Sequence, residues 1–112
     1  MRKIKIFVSQ PMRGIPEEEI RTIRQIYMRR ILPDIAKDFL CSIDDFEVID
    51  SILEQNGTPI ELLARSLVMM QDADIAVFLP GWRRSRGCKI EYEVATRYQY
   101  ELRLHKIYTD IV

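Results

Sequence analysis

Histidine and cysteine, the usual nitrogen and sulfur ligands of zinc, are nearly absent: His105, Cys41 and Cys88 are all there are. Neither cysteine has the short spacing to a second ligand that a zinc site needs, so no metal is expected. An excess of one charge is missing too. Seventeen basic residues cancel seventeen acidic ones, which removes the electrostatic reason for nucleic acid or a membrane surface as partner. No apolar run approaches the ~20 residues that span a bilayer, and the basic start leads straight into strand-like sequence; a cytoplasmic protein is expected. Glycine is scarce: Gly14, Gly57, Gly81 and Gly87 are the only four. They do not form a dinucleotide fingerprint, no Gly-Lys-Ser/Thr occurs, and no cofactor is expected.

What is present is a regular alternation of strand and helix patterns in a chain of 112 residues, the length of one domain, 1–112. Residues 3–9 alternate and then turn wholly apolar, as an opening strand does. Pro11, Gly14 and Pro16 make a loop, and Pro16 followed by Glu17, Glu18 and Glu19 opens a helix. That helix is expected to reach about Phe39 and to bend or divide at Pro33. Its apolar residues, Ile20, Ile23, Ile26, Tyr27, Ile31, Ile35 and Phe39 with Met28 and Leu32, form a stripe too wide for one sheet contact. A second copy of the chain is expected to cover the surplus, giving a homodimer or a higher even-numbered oligomer.

Residues 46–51 read as a second strand ending in the carboxylate Asp50, and residues 55–58 as a turn. Thr58, Pro59 and Glu61 read as N-cap, first-turn proline and early acid of a helix through Ile60, Leu63, Ala64, Leu67, Val68 and Gln71. Residues 74–79 have five apolar positions in a row after Asp74, as a strand covered on both faces does. Pro80 and Gly81 stop it, a helix from about Gly87 comes next, and residues 105–112 supply a last strand. The pattern βαβαβαβ predicts an α/β fold, a Rossmann-like or flavodoxin-like three-layer domain with a four-stranded parallel sheet in order 2-1-3-4 and helices on both faces.

Such a fold places two loops side by side at the C-terminal edge of the sheet, residues 9–14 and 80–87. They offer Ser9, Arg13, Gly14, Trp82, Ser85 and Gly87 together with helix-end amides, the usual ligands of phosphate. The competing reading makes Arg13, Arg83, Arg84 and Arg86 a solvated basic loop. Trp82 either stacks on a base or sugar or anchors the core edge. Cys88 either gains acidity from a helix N-terminus or fills tight space. Glu91, Val94, Ala95, Tyr98 and Leu102 recur on one helix face, which turns Glu91 inward, whereas Glu93 falls opposite, four residues before Arg97, as an exposed ion pair. An inward carboxylate at the C-terminal edge of a parallel sheet lies where such sheets bind ligands. Beside a phosphate-and-ring pocket it suggests glycosyl chemistry, with Glu91 attacking or stabilising C1′ of a sugar; the alternative is a glutamate that only caps backbone N–H groups.

Three segments, IFVSQPMRG at 6–14, DIAVFL at 74–79 and SRGCKIEYEVA at 85–95, resemble the nucleoside 2-deoxyribosyltransferase superfamily, which includes the 2′-deoxynucleoside 5′-monophosphate N-hydrolases. The likeness is to a branch of small bacterial and phage members and extends over nearly the whole chain. It implies that Glu91 is the nucleophile of a deoxyribosyl-enzyme intermediate, that Ser85 and Gly87 contact the 5′-phosphate, and that Ser9, Gln10, Met12, Arg13 and Gly14 line the substrate site. One departure stands out. Where the N-hydrolases carry a catalytic aspartate eight residues ahead of the position of Asp74, this chain has Ser66, and Asp50 is the candidate substitute. The expected function is therefore cleavage or transfer of the N-glycosidic bond of a deoxynucleoside or its 5′-monophosphate, a small-molecule reaction. Its rivals are a nucleotide-binding module without turnover and a flavodoxin-like signalling or structural domain.

Overall fold

The computed structural model describes residues 2–52 and 56–111. Four strands, β1 (Ile4–Ser9), β2 (Phe46–Val48), β3 (Ile75–Phe78) and β4 (Lys106–Tyr108), form one parallel sheet in the order β2-β1-β3-β4. They alternate with helices α1 (Glu17–Asp38), α2 (Pro59–Met70), α3 (Arg86–Arg97) and the short α4 (Gln99–Leu102). Fold class and strand order are those expected from the sequence.

The two-residue period of the strands divides the core between the two faces. Ile6, Val8, Ile75 and Val77 pack with Met28, Ile31 and Ile35 of α1. Phe7, Ala76 and Phe78 point the other way, to Met70, Cys88 and Ala95 of α2 and α3. Covering both faces explains the unbroken apolar run of β3, whose four residues are all buried. Asp74 pins the entry to β3, accepting from Lys5 N–H at 2.8 Å and Arg2 Nη2 at 2.9 Å.

Several local readings change. Pro33 does not divide α1, which runs through it as one helix. Proline removes one N–H and crowds the carbonyl four residues back, here that of Arg29, and both residues are exposed, so the displaced carbonyl is not sealed in the core. The stripe on α1 is mostly consumed within the chain: Ile20, Met28, Ile31 and Ile35 are buried, Tyr27, Leu32 and Phe39 pack against the core, and Ile26 stays 45 % exposed. Exposed apolar residues are scattered over other segments, among them Leu40 and Tyr100, and two of them, Ile60 at 78 % and Val68 at 63 %, lie on α2. β2 ends at Val48, two residues before Asp50, and β4 covers only Lys106–Tyr108 of the segment read as the last strand. The helix expected through Leu102 breaks at Tyr98, which caps α3 and is exposed, and Tyr92 packs against the core instead. Gln55, of the expected turn, and Val112 lie outside the described residues.

Candidate active site

The site grows from the carboxyl ends of β1 and β3, where the connections leave in opposite directions, β1 through α1 to β2 and β3 through α3 to β4. In open parallel sheets a reversal of this kind is where ligands bind. Ser9 ends β1 opposite Phe78 of β3, and its carbonyl accepts from Leu79 N–H at 2.9 Å. The loops beyond these strand ends touch each other, since a Cβ on Gly81 would lie 3.4 Å from Pro11 Cγ. Gly81 has φ +93°, a left-handed conformation that glycine adopts without steric cost. It turns the chain so that Trp82 enters the core.

Ser85 opens α3 as its N-cap, accepting from Cys88 N–H at 3.3 Å. Counting inward from that cap puts Cys88, Glu91 and Ala95 on the buried face. Glu91 is 8 % exposed, and both of its oxygens are held by hydroxyls: Ser9 Oγ donates to Oε1 at 2.6 Å, and Ser66 Oγ, from α2, donates to Oε2. Burial is the largest influence on Glu91 and raises its pKa above the ordinary glutamate value; Ser66, Ser9 and the Arg24 charge act in the opposite sense. Glu93 lies outside, accepting from Arg97 Nε at 2.6 Å, as the spacing required.

Arg24 is a buried cation that sequence reasoning missed. It is 7 % exposed and has no ion-pair partner among the described residues. Its Nε donates to Gln10 Oε1 at 2.6 Å, Nη2 to the Val8 carbonyl at 3.3 Å and Nη1 to the Ile49 carbonyl at 3.4 Å. Desolvation pulls its pKa down to about 10, against the pull of Asp50 and Glu91. A signal for it existed: Arg24 lies four residues after Ile20 and four before Met28, on the face of α1 that is buried. Gln10, buried beside it, donates its Nε2–H to the Ile20 carbonyl at 3.1 Å, so its amide braces α1 on both sides.

The other expected residues divide into those at the sheet edge and those turned away. Met12 is half-buried, and Arg13 is exposed with no hydrogen-bond or ion-pair partner among the described residues. Ile15 N–H closes a turn onto the Met12 carbonyl at 3.1 Å, and Gly14 takes φ +77° within it. Gly87 has open space where a Cβ would stand, and as first-turn residues Arg86 and Gly87 have amides with no intrahelical acceptor. Asp50 is exposed on the rim, its Oδ1 accepting from Arg21 Nη1 and Ile52 N–H, both at 3.3 Å; it is outside the hydroxyl-carboxylate cluster. Of the two readings of Trp82, the geometry gives the core anchor: the residue is 7 % exposed, its ring stacked on Tyr92 with centroids 4.4 Å apart and tilted 56° to Phe78. Its Nε1–H is the buried side-chain donor left without a partner among the described residues. Cys88 fills tight space, and burial pushes its thiol pKa up rather than down. Among the described residues no group of three histidine, cysteine or acidic side chains is gathered to hold a metal ion. No helix among them is long and apolar enough to cross a membrane.

The family model described as a domain of unknown function, DUF4406, matches residues 35–103, well over half of the chain, and the chain belongs to that family. The matched span carries Ser66, Ser85, Gly87 and Glu91, whereas Ser9, Arg13 and Arg24 precede it. No curated protein and no solved structure matches the chain.

Proposed function

We propose that this protein is a nucleoside 2-deoxyribosyltransferase-like enzyme that cleaves or transfers the N-glycosidic bond of a deoxynucleoside or deoxynucleoside 5′-monophosphate, with Glu91 as nucleophile. The observation that carries the reading is a buried carboxylate with a hydroxyl donor on each oxygen, beside the strand end where the connections reverse direction. Each oxygen keeps a second lone pair after accepting one hydrogen bond. Glu91 attacks C1′, the C1′–N bond breaks, and its electron pair leaves with the base, which takes up a proton. Water or a second base then attacks C1′ and frees the carboxylate. Asp50, on the rim of the same sheet edge, is our candidate for the proton donor, and Arg13, Ser85, Gly14 and the α3 amides for the 5′-phosphate site.

Ser66 favours one alternative, a nucleotide-binding module without turnover, because a hydroxyl stands beside the carboxylate where the resembled enzymes place an acid. Incubating the protein with deoxynucleosides and their monophosphates, with and without free bases, and separating products by chromatography distinguishes the two. Release or exchange of base that is abolished in Glu91→Gln and kept in Glu93→Gln supports the enzyme. Nucleotide binding without product leaves the module, and full turnover in Glu91→Gln removes the glycosyl reading. We place the protein in the cytoplasm as a homodimer or higher even-numbered oligomer.

A further inference from the structure

Arg24 has an uncommon position for a cation: buried, unpaired by any carboxylate among the described residues, and bonded on both sides of a residue that touches Glu91. Val8 and Gln10 flank Ser9 in the chain, and Arg24 donates to the carbonyl of the first and the side-chain oxygen of the second. Ser9 in turn donates to Glu91 at 2.6 Å. We propose that Arg24 is a positioning residue, its guanidinium fork fixing the end of β1 so that the Ser9 hydroxyl stays aimed at the Glu91 carboxylate. The proposal rests on the reading of Glu91 as the functional carboxylate, but its physical content, coupling from Arg24 through Ser9 to Glu91, exists with or without turnover.

Two features of the chemistry make arginine the residue required. The guanidinium is planar and presents several N–H donors in fixed directions, so it can bond Gln10, Val8 and Ile49 at once, whereas a lysine ammonium carries the same charge on a flexible stem. Carbonyls and a neutral amide as acceptors leave the positive charge uncancelled, and its field favours the ionised form of Glu91. The titratable and charged groups facing Glu91 are Arg24 from α1 and Cys88 from α3, while Asp50 and Arg21 act on Arg24.

Substitution by lysine separates the fork from the charge. The Glu91 side chain is followed by carbon-13 NMR as pH is varied, in the parent, Arg24→Lys, Ser9→Ala and the double variant. Ser9→Ala is expected to raise the Glu91 midpoint, since it removes a donor to the ionised form. Arg24→Lys is expected to raise it in the same direction by a smaller step, and to add nothing once Ser9 is alanine. A lysine variant that leaves the midpoint at the parental value, or shifts it equally in both backgrounds, overturns the proposal. Should Arg24→Lys fail to fold, Gln10→Met removes the acceptor of Arg24 Nε with the charge in place, and an unmoved midpoint there overturns it as well. If the parent turns over nucleosides, Arg24→Lys is expected to lower kcat severalfold with KM little changed and to move the acid limb of the pH profile upward. If the parent never turns over, the glycosyl reading fails while the midpoint shifts still decide the proposal.

Discussion

Removing the Ser66 hydroxyl tests the cluster at its least expected member. In Ser66→Ala, Glu91 Oε2 loses its side-chain donor while Ser9 still serves Oε1. A hydrogen bond to an ionised group contributes about 1.5–3 kcal/mol. Ser66 itself is only half-buried, so water can reach the vacated position, and the loss is expected near the lower limit, about 1.5 kcal/mol where Glu91 is ionised. With a urea slope of roughly 1.5 kcal/mol per M, this is a midpoint lower by about 1 M. The dependence on pH has a definite sign. The Glu91 pKa lies above its ordinary value of 4.5 in the folded chain, and losing a donor to the ionised form raises it further. The loss is therefore small where Glu91 is protonated and grows as pH rises through the folded-state pKa. Urea unfolding followed by the fluorescence of Trp82, the only tryptophan, measures it directly at several pH values. In a Glu91→Gln background the cost is expected to shrink by about 1 kcal/mol, the coupling of a contacting pair. A loss independent of pH and unchanged by Glu91→Gln would refute the reasoning and make Ser66 an ordinary packing residue.

Glu91→Gln itself is expected to flatten the pH dependence of stability: a raised acid pKa makes the parent lose stability between the ordinary and folded values, by at most about 1.4 kcal/mol per pH unit, and the amide cannot ionise. An equally steep fall in the variant, read by the same urea titrations, sinks this account. Arg13→Ala is expected to weaken monophosphate binding about tenfold and leave nucleoside binding nearly unchanged, from the loss of a charge-assisted contact; calorimetry showing equal losses would make Arg13 structural. Gly81→Ala places a side chain at φ +93° and is expected to cost about 1–2 kcal/mol with a change in Trp82 emission; unchanged stability would mean that the turn relaxes freely. Light scattering is expected to give a dimer or larger even-numbered assembly covering apolar residues such as Ile60 and Val68 of α2, and a stable monomer at micromolar concentration would remove that proposal.

Period, caps and breakers lie within reach of a single segment, and these the sequence determined by itself. The alternation of strand and helix patterns was enough for a parallel sheet in the order 2-1-3-4, because right-handed crossovers leave few other arrangements. Thr58 and Glu61 form the reciprocal N-cap bonds of α2, at 3.1 and 3.2 Å. Helical spacing alone turned Glu91 inward and left Glu93 with Arg97. Spacing gives a direction but no partner. That Ser9 and Ser66, from β1 and α2, converge on the two oxygens of Glu91 is decided only once the sheet order brings their elements together. Arg24 was overlooked because a cation on an apolar stripe reads as an interruption until its acceptors, the Val8 and Ile49 carbonyls and Gln10, are seen to gather around it. Tyr92, four residues after Cys88 and three before Ala95, shares their buried face and stacks on Trp82, whereas Tyr98 caps the end of α3 and stays exposed. Burial depends on the sum of all neighbours, and for these side chains the neighbours come from distant parts of the chain.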